Sequence, residues 1–232
     1  TTRRLPDLKE RHLPENCRET INTILKETYG YEQFRNLEIY DDLSKGKEKL
    51  CISQGQLIEN VILEAEKAWK GETQVDNILL TAPTGSGKSL LFQLPAIYLG
   101  KEYNLLTIVV SPLKALIVDQ VESLQELGYM RVAYASSDLS PEQKMEVYRQ
   151  VREGEIDLFY LSPELLLSYD IKHFVGERRI GLVVVDEAHT VTTWGKEFRV
   201  DYWFLGRYLT ALKQTLGYNF PLFALTATAV WN

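Results

Sequence analysis

Between Ala82 and Ser89 the chain reads Ala-Pro-Thr-Gly-Ser-Gly-Lys-Ser, an order of residue types suited to cradling phosphate. Gly85 and Gly87 let the backbone curl so that successive N–H groups point inward, and those donors plus a following helix N-terminus favour a polyanion. Lys88 can reach β- and γ-phosphates, and the Ser89 hydroxyl suits Mg²⁺. Thr84, Gly85, Ser86, Gly87, Lys88 and Ser89 are therefore expected to hold the phosphates of a nucleotide, with Ser89 on the metal. The strict pattern begins with glycine where this chain has Ala82, which removes some backbone freedom. A glycine loop with a purely structural role is the plain alternative, since short patterns recur by accident.

A second reactive pair stands farther along, where Val183-Val184-Val185 runs into Asp186-Glu187-Ala188-His189. In a parallel sheet the carboxyl ends of strands line the ligand crevice. The two acids should then emerge on the same edge as the glycine loop, on a neighbouring strand. Asp186 is suited to hold Mg²⁺, and Glu187 to orient or deprotonate an attacking water. Two solvated carboxylates at a strand end would look the same in isolation.

The elements needed to hold these groups follow from hydrophobic patterning. Asn77 to Thr81 reads as a buried strand entering the loop, and Leu90, Leu91, Leu94, Ile97 and Tyr98 recur at helical spacing after it. Strands are expected at 105–110, 131–135, 156–161, 180–185 and 222–225, and helices at 56–70, 113–127, 140–151, 163–174 and 202–216. Strands apolar on both faces that alternate with helices imply an α/β fold with a parallel sheet covered on both sides. Residues 1–50 mix charges with only patches of apolar periodicity, such as Ile21, Ile24 and Leu25, and read as a helical N-terminal extension packed on a domain of residues 51–232.

Composition sets outer limits. The 232 residues are 45% hydrophobic and 25% charged, ordinary for a globular domain, and no apolar run has membrane-spanning length. An intracellular location, cytoplasm or nucleus and nucleoid, is expected. Cys17 and Cys51 are too few for a disulfide framework and read as reduced, partly buried packing residues. A net charge of −6 announces no global attraction to nucleic acid, so any such contact must rest on a local groove.

Taken together, Ala82 to Ser89, Asp186-Glu187-Ala188-His189 and Thr226-Ala227-Thr228 resemble motifs I, II and III of superfamily 2 helicases, of the DEAH type at motif II. Ser89 to Ala96, Val109 to Leu116 with Asp119-Gln120-Val121, Tyr160 to Glu164, and Trp194 to Arg199 with Tyr202 are similar to further segments of RecQ-like DNA helicases. The resemblance spans about residues 54 to 228 and implies a three-layer RecA-like first motor lobe. It further implies catalytic roles for Lys88, Asp186, Glu187 and His189. His189, Thr226 and Thr228 would couple the γ-phosphate state to a DNA groove, and the motor would use ATP and Mg²⁺ to translocate on single-stranded DNA, usually 3′ to 5′, and unwind duplexes. Gln56 resembles the glutamine that reads adenine, with Gln54 a competitor two residues earlier.

Ser111, Pro112 and Lys114, and Ser162 with Pro163, each follow a strand and open a helix, where free N–H groups and hydroxyls can hold phosphates. An ordinary serine cap with proline in the first turn is the plain alternative. Trp194, Phe198 and Arg199 could stack on unpaired bases. Where the family usually has His-Asp, this chain has Lys196-Glu197. Tyr29 to Arg35 resembles the segment preceding the adenine-reading glutamine, which implies an insertion between Asn36 and Ser53. Motifs IV to VI and their arginine do not occur before Asn232. The expectation is a first lobe whose partner is a second lobe of a longer chain, and which alone turns ATP over very slowly. A translocase that separates no strands, a degenerate binding module and a small-molecule kinase are the competing readings.

Overall fold

The computed structural model describes residues 14–40, 49–82, 85–188 and 198–226. Six strands form one sheet: β3 (Ile78–Thr81), β4 (Leu106–Val110), β5 (Val132–Ala135), β6 (Leu158–Leu161), β7 (Ile180–Val185) and β8 (Leu222–Thr226). Their spatial order is β3-β8-β7-β4-β6-β5, and every pairing is parallel. The alternation of apolar strands with helices thus gives the covered parallel sheet that the sequence implied.

Strand β4 lies inside the sheet and is buried along its whole length. Because successive side chains face opposite ways, Leu106, Ile108 and Val110 join one apolar cluster while Val109 joins another. The Val109 face is covered by helices α2 (Gln54–Trp69), α3 (Leu90–Tyr103) and α4 (Lys114–Glu126). Helices α5 (Pro141–Arg152), α6 (Pro163–Ser168), α7 (Ile171–Val175) and α8 (Phe198–Leu216) contribute to the opposite cluster. Helix α3 is buried from Leu91 to Gly100, which explains its all-round apolar sequence.

Local chemistry sets the ends of these helices. Ser53 and Gln56 form a reciprocal capping box at the start of α2, and Ser140 and Gln143 do the same for α5. The single helix expected over 163–174 is divided into α6 and α7. Tyr169 is extended, and the Asp170 side chain accepts from Lys172 N–H to start a new helix. Helix α8 begins four residues before the expected start at Tyr202.

The N-terminal segment carries the expected helix and, after it, two strands that the sequence did not signal. Among its described residues one helix is present, α1 (Glu19–Tyr29), with Ile21, Ile24 and Leu25 buried and Gly30 closing it at φ 68. Beyond it the chain forms an antiparallel hairpin, β1 (Asn36–Tyr40) with β2 (Lys49–Ser53), in place of further helix. Leu37 pairs with Ile52, and both are buried against the main core, so the deciding period is two. Arg18 fastens α1 to the main body: its guanidinium reaches Glu59 and Glu66 on α2 and Tyr98 on α3 at 2.5 to 2.6 Å. Cys17 is half-buried beside Glu59, and burial pushes its thiol up to about 12. Cys51, expected to be partly buried, is exposed on β2.

Candidate active site

Strand β3 ends at Thr81 and the chain turns into the glycine loop. Gly85 and Gly87 adopt φ of 81 and 77, the left-handed region that only glycine enters without strain. Position 82 tolerates alanine because its N–H continues the sheet, donating to Thr226 O at 3.0 Å, and its side chain is buried. Lys88 Nζ donates to Ala82 O at 3.0 Å, so the lysine folds back over its own loop. Ser89 sits at the cap position of α3 without a side-chain capping bond.

The acids leave the sheet on the same edge. Asp186 N–H donates to Val110 O and Ala188 N–H to Leu225 O, which carries the ladder past the end of β7. They are not on the strand adjacent to β3, as the sequence suggested: β8 lies between, so Thr226 at its end stands between loop and acids. Sequence distance says nothing about which strand is inserted there. Three strand ends therefore converge, carrying the loop, Thr226 and the acid pair.

Asp186 is 5% exposed. Burial pushes its pKa above the ordinary aspartate value and the Glu187 charge adds to this. Opposing it are hydrogen bonds from Glu187 N–H at 2.9 Å and Gln120 Nε2 at 3.3 Å, and the charge of Lys88. Glu187 has φ 49, one of two non-glycine residues with positive φ among those described. Strain of this kind costs about 1 to 3 kcal/mol and gathers at functional sites. The buried Asp186 carboxylate and a Ser89 hydroxyl not used in capping are hard oxygens of the kind that Mg²⁺ takes.

Two glutamines lie near the loop with different bonding. The Gln54 side chain, 2% exposed, accepts from Arg35 N–H at 3.2 Å and donates to Ser86 O at 3.1 Å. Gln56 Oε1 accepts from Ser53 N–H at 3.0 Å within the capping box, and its amide nitrogen has no partner among the described residues. The stretch between Asn36 and Ser53, where an insertion was expected, holds the paired strands β1 and β2. The base of this hairpin is closed by Gln54 N–H donating to Arg35 O at 2.9 Å, so the Tyr29–Arg35 segment ends beside the glutamines.

The expected nucleic-acid residues fall into three groups. Ser162 caps α6 with Pro163 in its first turn, so the ordinary capping role is present. Ser111 does not cap: α4 starts at Lys114 after Leu113, and Ser111 Oγ is buried without a partner among the described residues. Pro112 lies between, half-buried, and Lys114 Nζ is held by Ser137 and by Asp138 at 3.0 Å. Phe198 and Arg199 open α8. Thr84, His189, Trp194 and Thr228 lie outside the described residues. Sequence reasoning assigned no role to Gln120, which nothing but its place in the Asp119-Gln120-Val121 segment signals.

A family profile described as DEAD/DEAH box helicase matches residues 57–232. The chain is 31% identical over 210 residues to an ATP-dependent DNA helicase RecQ of Haemophilus influenzae, covering 90% of this chain and 28% of that protein. It is 35% identical over 217 residues to the Synechocystis protein of the same name, covering 91% and 38%. This chain thus spans well under half the length of the curated relatives it matches. A crystal structure of the DUF1998 helicase MrfA bound to DNA superposes with a TM-score of 0.59 at 21% identity, over 96% of this chain and 26% of that one, which establishes likeness of fold.

Proposed function

Since the chain belongs to the DEAD/DEAH box helicase family, we propose that it is the first motor lobe of an ATP-dependent, RecQ-like DNA helicase. A second lobe from the same longer protein completes the motor, which tracks single-stranded DNA 3′ to 5′ inside the cell, in cytoplasm, nucleus or nucleoid. The supporting observation is the meeting of three strand ends, at Thr81, Val185 and Thr226, on one sheet edge.

The residues divide the work by their chemistry. The amides of Gly85 to Ser89 hold the phosphates while Lys88 exchanges Ala82 O for phosphate oxygens, a stronger charge-assisted bond. Ser89 and Asp186 hold the cation. When bound, Mg²⁺ neutralises charge developing on the transferred phosphoryl group. Glu187 accepts the proton of the attacking water at its carboxylate. Gln56, whose amide nitrogen is uncommitted among the described residues, reads the adenine edge. Thr226, with His189 and Thr228, reports the state of the phosphates to a DNA track built from Ser111, Pro112, Lys114, Ser162, Pro163, Trp194, Phe198 and Arg199.

The test is ATP hydrolysis with and without single-stranded DNA in a protein carrying both lobes, with separate assays of translocation and strand displacement. DNA should stimulate hydrolysis, strands should separate, and Lys88→Ala and Glu187→Gln should abolish turnover. Hydrolysis indifferent to DNA, or to Lys88→Ala, contradicts the proposal. Translocation without displacement leaves a remodelling motor.

A further inference from the structure

A phosphate-binding loop must aim its N–H groups inward, which requires its carbonyls to be held outward. In a planar trans peptide the C=O of one residue and the N–H of the next point in opposite directions. Fixing the Ser86 carbonyl therefore fixes where Gly87 N–H points. Gln54 Nε2 holds that carbonyl at 3.1 Å.

We propose that Gln54 is a positioning residue for the phosphate loop, and that through it the base of the β1–β2 hairpin sets the loop's readiness for the phosphates of a nucleotide. This rests on the reading of the loop as an ATP site. Three observations carry it. First, the Gln54 amide has a single consistent orientation, since Arg35 N–H needs an acceptor and Ser86 O needs a donor. Second, Gln54 cannot swing freely: it is buried, and its own N–H is bound to Arg35 O. Third, the fit to the loop is close. A Cβ at position 87 would stand 2.7 Å from Gln54 Nε2, so Gly87 is required by this side chain as well as by its φ of 77.

The consequence is a coupling that runs both ways. Ordering of the hairpin base favours the loop shape that binds phosphate, and bound phosphate steadies the hairpin base by the same free energy. Neither residue at the base, Arg35 nor Gln54, need touch the nucleotide.

Two variants of this chain test it, each checked for folding by its thermal melt. Gln54→Met keeps length and burial but loses both side-chain bonds. Gln54→Glu keeps the bond from Arg35 N–H and loses the donor to Ser86 O. ADP and adenosine binding are followed by NMR titration, with Lys88→Ala as the control for the site. In both variants ADP affinity should fall about tenfold, the size expected for one lost buried hydrogen bond. Adenosine, which lacks phosphates, should bind as in wild type. Slower hydrogen exchange of the Arg35 and Gln54 amides on adding ADP should appear in wild type and vanish in Gln54→Met. Unchanged ADP affinity in a folded Gln54→Met, or equal losses for ADP and adenosine, overturns the positioning role while the ATP site stands. Wild-type ADP binding insensitive to Lys88→Ala overturns the site and this proposal with it.

Discussion

Asp186 is a carboxylate that the fold buries beside Glu187. Its raised pKa comes first from desolvation, and Gln120 is the one side chain from α4 bonded to it among the described residues. Gln120→Ala removes a donor worth about 1 to 1.5 kcal/mol, so roughly ten times more Mg²⁺ should be needed for half-maximal nucleotide binding. A Mg²⁺ titration at fixed nucleotide checks this, and an unchanged midpoint would make Gln120 incidental. The residues proposed for the chemistry stood out in the sequence because a glycine loop ending in lysine and serine and an acid pair after an apolar strand occur in one chain, each being ambiguous alone. Gln54 and Gln120 did not stand out. A glutamine on an amphipathic helix carries no sign of what its amide meets, and both partners lie far off in the chain, at Ser86 and Asp186.

The helices and strands of the sheet followed from period and apolar content, whereas the hairpin did not. Its two strands are five residues each, and the alternating pairs Leu37 with Ile39 and Leu50 with Ile52 are too short a pattern to outweigh the helical reading of what precedes them. Helix α1 is held by Ile21, Ile24 and Leu25 in the core and by the ion pairs of Arg18. Burial pushes the Glu66 carboxyl up, but hydrogen bonds from Arg18, Tyr103 and Tyr98 outweigh it and leave its pKa below the ordinary value of 4.5. A carboxylate with a depressed folded pKa adds stability that is complete above its unfolded value and is lost as pH falls through the folded one. Acid unfolding of wild type should therefore steepen below pH 4.5, and Glu66→Gln should flatten that limb. Glu66→Gln should also cost about 2 kcal/mol at neutral pH, less than a fully buried pair because 23% of the Arg18 side chain is exposed. Parallel acid limbs in urea melts would remove Glu66 from the account.

The whole molecule separates stability from chemistry across the two edges of one sheet. At the amino ends of the strands Asp157 is fully buried, bonded by Tyr129, Arg131 and Arg178 at 2.7 to 3.1 Å. Gly100 lies against it so closely that an added Cβ would stand 2.3 Å from its carboxyl carbon. Gly100→Ala should therefore destabilise by about 2 kcal/mol or more while leaving nucleotide affinity of the folded protein unchanged; a matching loss of affinity would show the edges to be coupled. At the carboxyl ends the loop and the acids are asked to serve one magnesium-bound triphosphate. The most direct check is calorimetric binding of a non-hydrolysable ATP analogue with and without Mg²⁺, in wild type, Lys88→Ala and Asp186→Asn. Magnesium should tighten wild-type binding, Lys88→Ala should weaken it by about tenfold or more, and Asp186→Asn should bind with little gain from the metal. Full magnesium enhancement in Asp186→Asn would mean that the acids and the loop do not share a ligand.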